Sequence, residues 1–128
     1  MRPESGRRNL KWPLRIVEQR HDNVLVLELA GRVSAASAGS LTDAVARAFD
    51  RGDRLVVDLS GVDYLSSAGL RALEVAAGEG DGNGGGSGTM VLCAVPEPVR
   101  IALDLGGLLS RLHIEPSRDL AIARARLR

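Results

Sequence analysis

The chain has 128 residues, of which 45% are hydrophobic and 26% charged, and its formal net charge is +1. That length supports one domain with a core that needs neither a disulfide nor a structural metal. Near-neutral charge and only three aromatic residues, Trp12, Phe49 and Tyr64, argue against a module that binds polyanions or stacks nucleic-acid bases.

Residues 1–12 are polar and broken by Pro3 and Gly6, with Arg2, Arg7 and Arg8 spread among them. They are expected to form a flexible arm. They lack the apolar stretch of a secretory signal, and no apolar run approaches the roughly 18 residues of a membrane span. The expected location is therefore the cytoplasm, without membrane insertion. Residues 14–17 read as a short strand and residues 24–29 as a stronger one, with turn chemistry between them over Arg20-His21-Asp22-Asn23. These two make an antiparallel hairpin, and Gly31 ends or bulges its second strand.

Residues 37–49 predict a helix, since Leu41, Ala44, Val45, Ala48 and Phe49 share one face. Residues 55–59 form a third strand, apolar on both faces and hence interior. Residues 60–65 read as a connection. A second helix runs from Ser67 to about Gly78, with Leu70, Leu73 and Ala77 inward. Residues 80–88 are so rich in glycine that a flexible linker is expected. Residues 90–95 are wholly apolar, as an interior parallel strand requires.

Pro96 and Pro98 open a third helix, which Gly106 and Gly107 stop. Residues 112–114 alternate like a last strand. Ser117 can cap a final helix that carries Leu120, Ala123 and Leu127 on one side. The expected fold is thus α/β: a single domain over residues 13–128, with a mixed sheet of four or five strands packed against four or five helices. Strands and helices alternate after the hairpin, so most of the sheet is parallel.

No catalytic constellation emerges, and no enzyme is expected. The glycine segment is not a phosphate loop, because no lysine follows it and it precedes a strand instead of a helix. Cys93 lies within an apolar run, where burial keeps a thiol neutral. His21 and His113 stand alone, with no spacing suited to a metal, so neither cofactor nor metal is expected.

The most distinctive stretch is D-L-S-G-V-D-Y-L-S-S-A-G-L from Asp58 to Leu70. Together with Gly31-Arg32-Val33, the V-L-C-A-V strand and Asp104-Leu-Gly-Gly-Leu108, it resembles the STAS domain of bacterial anti-sigma factor antagonists, over nearly the whole chain. The family commonly carries Asp-Ser-Ser/Thr-Gly-Leu at the helix start, with the first serine phosphorylated by a partner kinase that is also an anti-sigma factor. Aligning on Gly69 and Leu70 puts Ser67 at the phosphorylated position. Ser66 replaces the common aspartate, Ala68 replaces the second hydroxyl, and Ser34 stands where an acid is frequent.

The resemblance implies a partner-switching regulator and phosphoprotein acting in signal transduction and transcription control. Unphosphorylated, it would bind an anti-sigma factor of the serine-kinase type. Phosphorylation at Ser67 would release that partner, and a serine phosphatase would reset the switch. The implied contact surface comprises Ser34, Tyr64, Leu65, Ser66, Ser67, Ala68 and Gly69. Tyr64 and Leu65 read equally well as core, and one of Ser66 and Ser67 as a helix cap. A second reading makes the chain a non-phosphorylated STAS subunit of an ABC-type lipid transport complex. No direct nucleic-acid contact is implied, and no oligomeric state.

Overall fold

A computed structural model describes residues 14–80 and 90–127. The expected arm over residues 1–12 lies outside the described residues, as does the glycine linker apart from Gly80.

β1 (Leu14–His21) and β2 (Val24–Val33) form an antiparallel hairpin in register from Leu14 opposite Gly31 to His21 opposite Val24. β3 (Arg54–Leu65), β4 (Met90–Cys93) and β5 (His113–Glu115) follow in parallel, and the sheet order is β1-β2-β3-β4-β5. The helices are α1 (Ala38–Asp50), α2 (Ser67–Gly80), α3 (Glu97–Leu105) and α4 (Arg118–Leu127), with a short 3-10 turn at Leu109–Arg111. This is the expected mixed α/β sheet, with 55–59 interior. Of the interior strand expected over 90–95 only Met90–Cys93 is formed, because the chain turns at Ala94, whose φ is 53°.

Alternation along each strand sends side chains to opposite faces. Leu25, Leu27, Leu29, Leu55, Val57, Leu59, Met90 and Leu92 meet α1, α2 and α3 in one core. Val24, Val26, Val56, Val91 and Cys93 point the other way and meet Ala121, Ile122 and Ala125 of α4, with Ala94 at the edge of the cluster. Among the described residues, three helices therefore cover one face and a single helix the other. Among the described residues no helix is long and apolar enough to cross a membrane.

Two further expectations are corrected. Residues 60–65 do not form a connection: they continue β3 and pair with the end of β2, from Ala30 opposite Gly61 to Val33 opposite Leu65. Register shifts between Glu28 and Ala30 and between Gly31 and Arg32 let β3 carry its extra residues as bulges. Gly61 makes the first shift possible, because a Cβ there would stand 2.9 Å from the Leu29 carbonyl oxygen.

The second correction concerns α4. Leu120 and Leu127 are 50% and 87% exposed, and Ala123 also faces solvent. The inward stripe is Arg118, Ala121, Ile122 and Ala125, one step round the helix from the expected one. Arg118 sets that rotation. Its Nε and Nη2 donate to Asp58 Oδ2 at 3.0 and 2.7 Å, and its Nη1 donates to Gln19 Oε1 at 2.7 Å. Its Nη2 also lies 3.1 Å from Glu28 Oε2. The cap at Ser117 is as expected, its Oγ accepting from the Leu120 amide at 3.2 Å.

Candidate functional site

The parallel strands β2 and β3 end side by side, and the chain leaves each by a short turn into a helix. The two turns are tied together where the Ser66 amide donates to the Val33 carbonyl at 2.9 Å. The segments holding Ser34 and residues 64–69 thus converge at the carboxyl ends of two interior strands, not at a lateral edge of the sheet.

The two adjacent serines have different jobs. Ser66 Oγ accepts from the Gly69 amide at 3.1 Å, and the Ser66 carbonyl accepts from the Leu70 amide at 2.8 Å. Ser66 is therefore the N-cap of α2. Ser67 begins the helix, is exposed, and makes no side-chain hydrogen bond among the described residues. A cap accounts for one hydroxyl and leaves the other presented to solvent.

The β2–α1 turn is braced by Ser37, whose buried hydroxyl donates to the Arg32 carbonyl at 2.9 Å and accepts from the Ser34 amide at 2.9 Å. Ser34 Oγ lies 3.4 Å from Ser37 Oγ, and the Ser34 carbonyl accepts from the Ala38 amide at 2.8 Å. Ser34 is half-buried beside the turn. Sequence reading placed Ser37 only as a helix start and missed its role as the brace. A serine directly before an amphipathic helix was the available signal.

Tyr64 is 42% exposed, and the Arg32 guanidinium lies 4.3 Å above its ring. It offers a polar-edged apolar surface beside the serines. Leu65, its neighbour, is buried in the main core. Gly69 is buried as well, since any Cβ there would meet Leu65 Cδ1 at 2.6 Å and Val33 Cγ1 at 2.8 Å. Both were expected on the contact surface, and the structure turns both inward. Ala68 is half-buried and lines a shallow groove between α1 and α2 with Ala38, Gly39, Thr42, Arg71, Ala72 and Val75.

Chemically, this site presents the Ser67 hydroxyl to solvent, with no side-chain hydrogen-bond partner among the described residues. Cys93 is remote from it, buried on the α4 side of the sheet, and burial pushes its thiol up to about 12. Its pull toward the neutral form is reinforced by the nearby Asp58 charge. His113 approaches Arg124, with its Nδ1 2.9 Å from Nη2. Among the described residues no group of three His, Cys, Asp or Glu could hold a metal ion.

The STAS domain family pattern matches residues 15–121. A Bordetella bronchiseptica protein named "Putative anti-sigma factor antagonist BtrV" is 34% identical over 111 residues, which cover 86% of this chain and 93% of that protein. The crystal structure of an anti-sigma factor antagonist from Mycobacterium paratuberculosis superposes with a TM-score of 0.75 at 26% identity, over 88% of this chain and 94% of that one. The phosphorylated form of SpoIIAA, a Bacillus cell fate determinant, shares the fold with a TM-score of 0.65 at 14% identity, over 86% of this chain and 98% of that one.

Proposed function

Because the chain belongs to the STAS domain family, we propose that it is an anti-sigma factor antagonist whose partner binding is switched by phosphorylation of Ser67. The observation that carries this reading is the division of labour between the serines. Ser66 caps α2, while the Ser67 hydroxyl is exposed and uncommitted. The names of BtrV and of the Mycobacterium paratuberculosis structure support the general role.

The partner is an anti-sigma factor that is also a serine kinase in the cytoplasm. It supplies ATP and the catalytic base; this chain supplies the acceptor and acts as substrate and binding module. In the transfer, a bond forms between Ser67 Oγ and the γ-phosphorus while the bridging bond to ADP breaks. The hydroxyl proton passes to the kinase base.

The resulting charge of about −2 sits at the start of α2, where free amides tolerate it and the fold persists. The contact surface does not persist unchanged. A groove fitted to a small neutral side chain would have to desolvate a dianion, which costs several kcal/mol and is enough to dissolve a micromolar complex. A serine phosphatase restores the hydroxyl. Ser34, Tyr64 and Ala68 form the rest of the docking surface.

The test is phosphotransfer from a serine kinase of the anti-sigma factor type, sought among the neighbouring genes, with ATP, followed by mass spectrometry. Wild type and Ser66→Ala become labelled, whereas Ser67→Ala does not. Ser67→Ala still binds the kinase, and Ser67→Asp binds it more weakly. Labelling of Ser67→Ala to the wild-type extent would refute the acceptor assignment. Recovery of a transporter ATPase in place of a kinase would favour the lipid-transport reading.

A further inference from the structure

Arg71 stands four residues after Ser67 on α2 and is exposed. On a helix surface, residues i and i+4 are neighbours, and an anion placed N-terminal to a cation is the favourable order. The nearest acid on Arg71's own helix, Glu74, is already engaged by Arg111 Nη1 at 2.8 Å. Six arginines hold acidic partners. Arg71, like Arg15, Arg32, Arg47, Arg54 and Arg100, has none among the described residues, and of these Arg71 alone stands one helical turn after Ser67.

Arg71 instead borders the groove between α1 and α2. The other residues lining that groove are uncharged, and the hydroxyl of Thr42 is spent on the Ala38 carbonyl at 3.0 Å. Nothing in the groove answers the guanidinium's charge.

Resting on the reading of Ser67 as phosphoacceptor, we infer that Arg71 receives the Ser67 phosphate within the same molecule, swinging from the α1–α2 groove to the first turn of α2. The planar guanidinium donates charge-assisted hydrogen bonds to the phosphate oxygens. Phosphorylation then changes the surface twice. It adds a dianion at the helix start, and it withdraws the one charged side chain from the groove wall. Arg71 acts as a positioning residue and takes no part in phosphotransfer.

The experiment uses the full chain with phosphoserine installed at position 67 by genetic code expansion, so that no kinase is required. The phosphate is titrated by phosphorus NMR in the wild-type, Arg71→Gln and Arg71→Lys backgrounds. The helix start is common to all three and cancels from the comparison. The second ionisation of the phosphate falls about 0.3 pH lower in wild type than in Arg71→Gln. Arg71→Lys recovers part of the difference, and about 1 M salt abolishes it.

The nitrogen resonance of the Arg71 Nε in wild type moves with the same midpoint as the phosphate. Equal phosphate titration in wild type and a folded Arg71→Gln overturns the inference. If Arg71→Gln does not fold, an Arg71 Nε resonance that ignores the titration overturns it. Failure of any kinase to label Ser67 would count against the proposed function and leave this titration unaffected.

Discussion

Replacing Arg118 with methionine lowers the stability of the fold by roughly 3 kcal/mol at neutral pH, the lower end of the cost of breaking a buried ion pair. The side chain of Asp58 is 6% exposed, so the variant strands a carboxylate inside the protein. The loss stays at the low end for two reasons. Arg118 itself is 28% exposed, and the Ser60 amide still donates to Asp58 Oδ1 at 2.9 Å.

The pH dependence separates this cause from simple loss of packing. Burial pushes the Asp58 carboxyl upward, but the Ser60 amide and Arg118 outweigh it and hold its pKa below the ordinary value. A depressed carboxylate adds stability that is complete above its unfolded pKa of about 3.9 and is lost as pH falls through the folded value. Asp53 behaves alike, because Arg20 holds it down by hydrogen bonds at 2.8 and 3.0 Å against the opposing effect of burial. The contribution of these two carboxylates is therefore complete above about pH 5 and is lost progressively as pH falls into and below the ordinary carboxylate range. Without Arg118 the Asp58 pKa rises, so the gap between variant and wild type narrows as Asp58 protonates. Urea unfolding at pH 7 and pH 3 measures this. A gap of equal size at both pH values would mean that Arg118 stabilises by packing alone.

Gly69→Ala costs about 2 kcal/mol and, if the proposed function holds, weakens docking of the anti-sigma partner. An alanine in place of glycine inside a helix ordinarily gains up to about 1 kcal/mol. Here the new Cβ would stand 2.8 Å from Val33 Cγ1 and 3.0 Å from the Val33 carbonyl oxygen. Val33 is fully buried, so it has little freedom to move, and overpacking of this kind costs about 1–3 kcal/mol. The clash wins, and the first turn of α2 moves off the ends of β2 and β3 together with both serines. Gly78→Ala is the control, since nothing lies within 4 Å of a Cβ there. It leaves stability unchanged or raises it. A Gly69→Ala variant as stable as the control would show that this turn yields easily.

The elements with strong local periodicity were legible in the chain itself. The face of α1, with Leu41, Ala44, Val45, Ala48 and Phe49 buried, follows directly from its spacing. The end of β3 was not legible, because Ser60, Gly61 and Asp63 weaken the strand pattern and only pairing with β2 supplies the missing preference. The rotation of α4 was hidden for a different reason. Its apolar residues occupy two arcs, and Arg118 chooses between them through a carboxylate 60 positions away in sequence. An aspartate inside the apolar run at residues 55–59 was the available hint that a cation must be buried near it. At the site, the serine pair was visible. Which serine caps depended on which hydroxyl reaches the Gly69 amide.

α4 also sets how the molecule breathes. It holds its sheet face through three modest side chains, the Arg118 contacts and a hydrogen bond from Arg54 Nη1 to the Ala125 carbonyl at 3.0 Å, with partly exposed ties from Arg124 to Glu115 and His113 and from Arg126 to Asp22, whereas β2 and β3 are gripped from both sides. Detachment of α4 alone therefore costs far less than global unfolding. Its amide protons exchange with deuterated solvent through that opening, well ahead of those in β2 and β3. The same opening uncovers Cys93, so the rate at which a thiol reagent alkylates this single cysteine is a clock for the lifting of one helix from an otherwise intact fold.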